Sequence, residues 1–197
     1  MAKSDPLNPG FYSSEELRDF GIAQVGLNVQ VAKNITIIGV ENIYLGNNVR
    51  IDGNTVINAH SGFLKVGDFV HLGGGSFLSC GGGIEFRDFS TISQGVRVYS
   101  NSDDYSGEFM TNPLVPKKYT NIVSGLVRFN QHVIVGSGTV VLPNCELHEG
   151  AAVGALSLVD KSLESWGIYG GIPVRFLKAR SKSLLDKQKL FKTESMK

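Results

Sequence analysis

The sequence predicts an all-β solenoid: a parallel β-helix of about six coils of hexapeptide repeats, with one long excursion loop and a C-terminal helix. Three observations carry this. First, an aliphatic or aromatic residue recurs at every sixth position in six groups of three: Val25, Val31 and Ile37; Leu45, Ile51 and Ile57; Val66, Leu72 and Leu78; Phe86, Ile92 and Val98; Phe129, Val135 and Val141; Leu147, Val153 and Val159. Second, extra residues fall only between groups, at the steps 37→45, 57→66, 78→86 and 98→129, while 141→147 has none. Third, the residue four after each key position is small or valine in fifteen of eighteen cases, Val29, Thr55, Val70, Ser90, Thr139, Ala151 and Ser157 among them, and only Glu41 is large and polar.

Each element follows from these. A period of six fits three short strands wound into one coil of a three-sided prism, and insertions confined to group boundaries all leave from one corner. A narrow prism takes one large inward side chain per face and a small one near each corner. Gly26, Gly46, Gly67, Gly73, Gly136 and Gly154 directly follow key residues, where a tight turn is expected. Stacked coils pair strand to strand at about 4.8 Å and bury a continuous apolar column.

The ends are expected to cap the solenoid. In residues 11–21, FYSSEELRDFG, Ser13 or Ser14 is a candidate N-cap, Glu15 and Glu16 suit the first turn, and Gly21 is a stop. After Pro173, RFLKARSKSLLDKQKLF has helical spacing, with Leu177, Leu184, Leu185 and Phe191 as its apolar face. The chain thus divides into a capping segment (1–24), a β-helix domain (25–164, including the loop 99–128) and a C-terminal turn and helix (165–197).

Composition narrows the function. No apolar run reaches the roughly 18 residues of a membrane span, and MAKSDPLNPG lacks the apolar stretch of a signal peptide, so a cytoplasmic protein is expected. Net charge is +1, but residues 161–197 hold nine Lys and Arg against three Asp and Glu, a surplus suited to an anionic ligand and too mild for a nucleic-acid reader. Cys80 and Cys145 form no close pair, and no histidine or cysteine spacing fits a metal site.

Thirty-one residues separate Val98 from Phe129, where the repeat needs six. This excursion carries Asp103, Asp104 and Glu108 together with Tyr99, Tyr105, Phe109, Met110, Leu114 and Tyr119. It is too apolar for simple disorder and is expected to pack on a neighbouring surface.

The repeat resembles that of the hexapeptide-repeat acyltransferases, whose prism is a left-handed β-helix, against the usual crossover rule. That resemblance implies a homotrimer holding acetyl-CoA, as co-substrate, in the groove between prisms. The strings SNSDDYSGEFMTNP, FYSSEEL and WGIYGGIPVRFLKARSKSLL are similar to the dTDP-4-amino-4,6-dideoxy-D-glucose acyltransferase group, over about residues 11–191. This likeness implies transfer of acetyl to the 4-amino group of a nucleotide-linked sugar for surface polysaccharide synthesis.

Where related sugar and antibiotic O-acetyltransferases begin this loop with a catalytic histidine, the chain has Asp103. A carboxylate with an ordinary pKa near 4 is a poor base for an alcohol. An amine with a pKa of roughly 8 is already partly neutral and needs mainly orientation and a route for one proton. Asp103 and Asp104 are therefore the candidate acceptor-site residues. The resemblance implicates Gly136, Ser137, Gly154 and Ala155 along the pantetheine arm, and Pro173, Arg175 and Lys178 near the nucleotide end of the donor. Among the histidines, His71 is the first candidate for a base and His132 the second. With no serine–histidine pair evident, direct attack on the thioester is expected. Two other readings stay open: sugar O-acetylation with His71 or His132 as base, and a trimeric scaffold whose loop only joins subunits.

Overall fold

A computed structural model describes residues 7–195. It is a left-handed parallel β-helix of about seven turns. Its first face is built from Gln24–Val25, Ile43–Leu45, Leu64–Val66, Ile84–Phe86, Val127–Phe129 and Glu146–Leu147. The second face runs through Gln30–Ala32, Arg50–Ile51, His71–Leu72, Thr91–Ile92, Ile134–Val135, Ala152–Val153 and Gly167–Gly170. Thr36–Ile38, Val56–Asn58, Phe77–Ser79, Arg97–Tyr99, Val140–Val141 and Leu158–Val159 form the third.

The six triplets stack in register. Val25, Leu45, Val66, Phe86, Phe129 and Leu147 pair in sequence on the first face. The other two columns follow the same order, and of the eighteen key residues only Val25 and Ile37, on the first coil, are not fully buried. Inside the prism the rings of Phe86 and Phe129 stack at 4.4 Å. All four insertions leave from the edge between the third and first faces, so the other two edges run straight.

Two details differ from expectation. At the insertion edge the inward position near the corner is taken by Ile43, Leu64, Ile84 and Val127, all essentially buried, because a longer corner leaves room for a larger side chain. The glycines after key residues are not the left-handed positions of the turns; those lie two residues later, at Asn48, Phe69, Phe89 and His132 for example. Gly46 is required instead by close stacking, since a Cβ there would stand 2.7 Å from the backbone of Gly67 on the next coil.

A seventh, partial coil follows. Leu163 bridges to Leu147, and Ile168 and Tyr169 pair with Ala152 and Val153. These partners lie 16 residues apart, so the hexapeptide register slips by two and conceals this coil in the sequence. The expected long C-terminal helix is shorter: Arg175–Ala179 is a strand antiparallel to Gly167–Gly170, and the helix spans only Leu184–Ser195. Gly171, at φ +100°, reverses the chain so that 175–179 pairs with the open edge of the second face.

At the other end the helix Ser14–Asp19 has a capping box: Ser13 Oγ accepts from the Glu16 amide and the Ser13 amide donates to Glu16 Oε2 at 2.7 Å. Leu17 is buried, Ser14 Oγ accepts from the Val29 amide, and Arg18 donates to the carbonyls of Val25 and Gly26, which seals the first coil. Among the described residues no helix is long and apolar enough to cross a membrane.

Candidate active site

The outward side chains distinguish the three faces. On the first, Tyr44, Lys65, Glu85, Arg128 and Glu146 stand one above another. Arg128 bonds Glu85 at 3.0 Å and approaches Glu146 at 3.5 Å, so the charges satisfy one another and the face suits water. The third face presents Val56, Phe77, Val140 and Leu158, with Ile38 and Leu142 beside them and Arg97 as the single charge in the column. Such a half-exposed apolar sheet face needs a cover.

The excursion starts as a two-stranded ribbon, Asn101–Ser102 against Val123–Ser124, at the end of the third face. Its root encloses a recess of about 480 Å³ lined by Tyr99, Asn101, Ser102, Asp103, Tyr105 and Val140. The two aspartates differ in what holds them. Asp104 Oδ1 accepts from the Ser106 hydroxyl and amide and from the Gly107 amide, and these bonds, the hydroxyl's first, hold its carboxyl below the ordinary range. Asp103 is exposed and its carboxylate has no partner among the described residues, which leaves it available to a ligand. Farther out, Tyr105, Phe109, Met110, Leu114 and Tyr119 are all exposed.

The donor candidates lie along the straight edge between the second and third faces. Gly136 and Ser137 turn that corner on the fifth coil, and Gly154 and Ala155 on the sixth. A Cβ on Gly136 would come within 2.5 Å of the Ala155 nitrogen, so bare backbone is a packing requirement here. Ser137, Gly154 and Ala155 are exposed, and the edge offers a narrow strip without bulky polar side chains. Pro173 continues it, and Arg175 and Lys178 lie on the terminal strand, both exposed and without an ion-pair partner among the described residues. Arg180 is engaged differently, donating to the carbonyls of His132 and Gly150.

The histidines occupy distinct settings. His71 projects from the second face, with Nε2 2.8 Å from Asp52 Oδ2. His132 is buried at the first–second edge, where its ring stacks on Phe89 and meets Gln188 of the C-terminal helix at 3.1 Å. His148 lies 3.7 Å from Glu146, and His60 is exposed at the insertion edge. Burial pushes the Cys80 thiol up to about 12, and burial together with the charge of Asp160 pushes Cys145 up to about 11.

No protein-family model matches the chain. The dTDP-4-amino-4,6-dideoxy-D-glucose acyltransferase of Escherichia coli is 41% identical over 181 residues, covering 92% of this chain and 94% of that protein. This chain belongs to the hexapeptide-repeat acyltransferases, in that enzyme's group. Among solved structures, the N-acyltransferase AntD from Bacillus cereus, in complex with dTDP and 3-hydroxybutyryl-CoA, superimposes with a TM-score of 0.91 at 38% identity, over 97% of this chain and 100% of that one. A point variant of AntD holding dTDP-4-amino-4,6-dideoxyglucose and coenzyme A matches with a TM-score of 0.90 at 38% identity, over 94% and 98% of the two chains.

Within this acyltransferase the structure brings Asp103 and Asp104 to one loop root, and Gly136, Ser137, Gly154, Ala155 and Pro173 to one edge. It does not join the two sets within this chain: they lie at opposite margins of the third face. His71 and His132 are near neither aspartate, since one projects from the second face and the other is packed at the first–second edge. Among the described residues no group of three His, Cys, Asp or Glu side chains is placed to hold a metal ion. Sequence reasoning missed Asp52 as the partner of His71. The signal was present: Asp52 follows key residue Ile51 and His71 precedes key residue Leu72, so both sit outside adjacent coils of one face.

Proposed function

We propose that this acyltransferase moves acetyl from acetyl-CoA to the 4-amino group of dTDP-4-amino-4,6-dideoxyglucose, in the cytoplasm, for a surface polysaccharide. The similarity to the E. coli and B. cereus enzymes supports the substrate classes. The observation that carries the reading is the free Asp103 carboxylate at the mouth of the excursion recess. A carboxylate attracts an ammonium group, orients the amine derived from it, and accepts one proton. It has no comparable advantage toward a hydroxyl.

In the proposed reaction the neutral amine attacks the thioester carbonyl directly. The carbon–sulfur bond breaks, CoA leaves as the thiolate, and the proton lost by nitrogen passes by way of Asp103 to solvent. The exposed backbone of the Gly136–Ala155 edge lets the slender pantetheine arm lie close, while Arg175 and Lys178 meet the donor's phosphates.

A closed assembly of three chains supplies the missing proximity. The apolar third face and the exposed Tyr105, Phe109 and Leu114 require cover, and a neighbouring prism provides it while bringing one protomer's loop to the next protomer's straight edge. The test is an assay of CoA release with acetyl-CoA and 3-hydroxybutyryl-CoA, against the 4-amino sugar nucleotide and its 4-hydroxy counterpart. Preferred turnover of acetyl-CoA with the amine supports the proposal. Faster reaction of the hydroxy sugar replaces it with O-acylation, and failure to bind CoA leaves the scaffold reading.

A further inference from the structure

The N-terminal half of the second face carries a charged group that the roles above do not use. Arg50 and His71 occupy facing positions on adjacent strands. Asp52 stands between them, its Oδ1 accepting from Arg50 Nε at 2.7 Å and its Oδ2 lying 2.8 Å from His71 Nε2. Burial acts to raise the Asp52 carboxyl, but the bonds from Arg50 and His71 outweigh it and hold the group below its ordinary range. One ionised carboxylate thus orients two side chains.

What remains of those side chains faces outward. The Arg50 side chain is 54% exposed and that of His71 43%, and Asp52 engages only Nε of the one and Nε2 of the other. The guanidinium carbon of Arg50 lies 4.8 Å from the centre of the Phe11 ring, a cation–π contact. An exposed Arg–Asp pair alone contributes little to stability. A carboxylate engaged on both oxygens, with an aromatic ring against one of its partners, reads as a support for something bound outside it. Beside the group the chain turns through Gly73, Gly74 and Gly75 without a side chain, because the coils stack closely there: a Cβ on Gly74 would stand 2.8 Å from the Gly53 carbonyl oxygen and 3.4 Å from Asp52 Cβ.

We propose that Arg50 and His71, held by Asp52, bind the diphosphate of the nucleotide-sugar acceptor. The inference rests on the acceptor reading under Proposed function. The group sits on the second and third coils, whereas Asp103 leaves the fourth and the donor edge occupies the fifth and sixth. At about 4.8 Å per coil the charges lie roughly 5–10 Å N-terminal to the level of Asp103 along the solenoid axis; the third face separates them within one chain, so the Asp103 that completes the site is the one that the proposed assembly brings from a neighbouring chain. That offset is comparable to one hexose ring with its anomeric oxygen. With the donor running toward the C-terminal coils, an acceptor whose amine meets it at the fourth coil must extend its nucleotide toward the N-terminal ones. Arginine suits the task, since its planar fork can donate two parallel hydrogen bonds to phosphate oxygens.

The test is calorimetric titration of the full chain with dTDP and, separately, with CoA. Arg50→Met keeps the stem beneath Phe11, and His71→Gln keeps a donor toward Asp52. Each is expected to weaken dTDP binding about tenfold or more, with CoA affinity unchanged and KM for the sugar nucleotide raised more than kcat is lowered. Asp52→Asn, which preserves shape and removes the charge, is expected to weaken dTDP in the same direction and serves if Arg50→Met fails to fold. Wild-type dTDP affinity in a folded variant overturns the site. Parallel titration with UDP and GDP separates this outcome from failure of the acceptor reading. Binding of a different nucleoside diphosphate that depends on Arg50 upholds the site and corrects the base; a wild-type protein that binds CoA but no nucleoside diphosphate overturns both.

Discussion

Asp104 Oδ1 lies 2.7 Å from both the hydroxyl and the amide nitrogen of Ser106, so this carboxylate closes its own loop, while the carboxylate of its neighbour Asp103 has no partner among the described residues. The two aspartates should separate on mutation. Asp103→Asn is expected to lower kcat by about 10²-fold or more, the usual range for a lost proton acceptor, with CoA affinity intact. Asp104→Ala should loosen residues 104–108, read as faster amide exchange at Ser106 and Gly107. An equal loss of turnover and CoA affinity in Asp103→Asn would remove it from the acceptor site.

Asp104 also gives the loop a pH dependence. Its carboxyl is held below the ordinary range by the folded loop, so the stabilisation is complete above the unfolded pKa of about 4 and is lost as pH falls through the lower, folded value. Amide exchange at Gly107, corrected for its intrinsic rate, should stay slow at pH 5 and rise only under more acid conditions. In Asp104→Asn that acid-dependent step should vanish.

Neither cysteine is placed to carry an acyl group. With thiols pushed up to about 12 and about 11, Cys80 and Cys145 are almost entirely protonated at neutral pH and lie inside the prism. The Cys80→Ala, Cys145→Ala double variant should keep turnover within about twofold, and initial rates should intersect as they do for direct transfer. Parallel-line kinetics, or an acyl group trapped on the protein, would contradict the mechanism.

Thr55 is fully buried, and its Oγ1 has no partner among the described residues. Replacing it by valine removes the unpaired hydroxyl at nearly constant volume. Thr55→Val should stabilise the protein by about 1 kcal/mol, within the usual cost of an unsatisfied buried polar group, read as a higher midpoint in urea. A lower midpoint would mean that the hydroxyl has a partner.

The third face should govern assembly. Phe77→Glu together with Val140→Glu places charge in the middle of its apolar column and is expected to shift the sedimenting species toward the monomer, with turnover falling in parallel. An unchanged sedimentation coefficient would exclude this face as the contact between chains.

Much of this architecture could be read from a period of six, because an inward side chain on a stacked strand has few alternatives: Val66, Leu72 and Leu78 had to be interior once their spacing was known. Other features depend on neighbours that no local pattern reports. The seventh coil was hidden because Leu163 follows its partner Leu147 by 16 residues, which breaks the register. The strand at Arg175–Ala179 carries helix-compatible residues, and only the open edge of Gly167–Gly170 selects the extended form. Within the site, Asp103 and Asp104 look equivalent in sequence. The turn-forming Ser106 and Gly107 decide between them, a local signal that could have been used. Nothing in the spacing alone connects the loop to the candidate donor edge, because within one chain the two lie at opposite margins of the third face.

The confinement of every insertion to one edge has a consequence for how this protein can change. A residue added at either straight edge would shift the register of all later coils. A residue added at the third edge alters only what hangs outside it. Residues 99–128 therefore behave as an exchangeable cassette on a constant frame, one that can be rewritten while the core columns stay as they are.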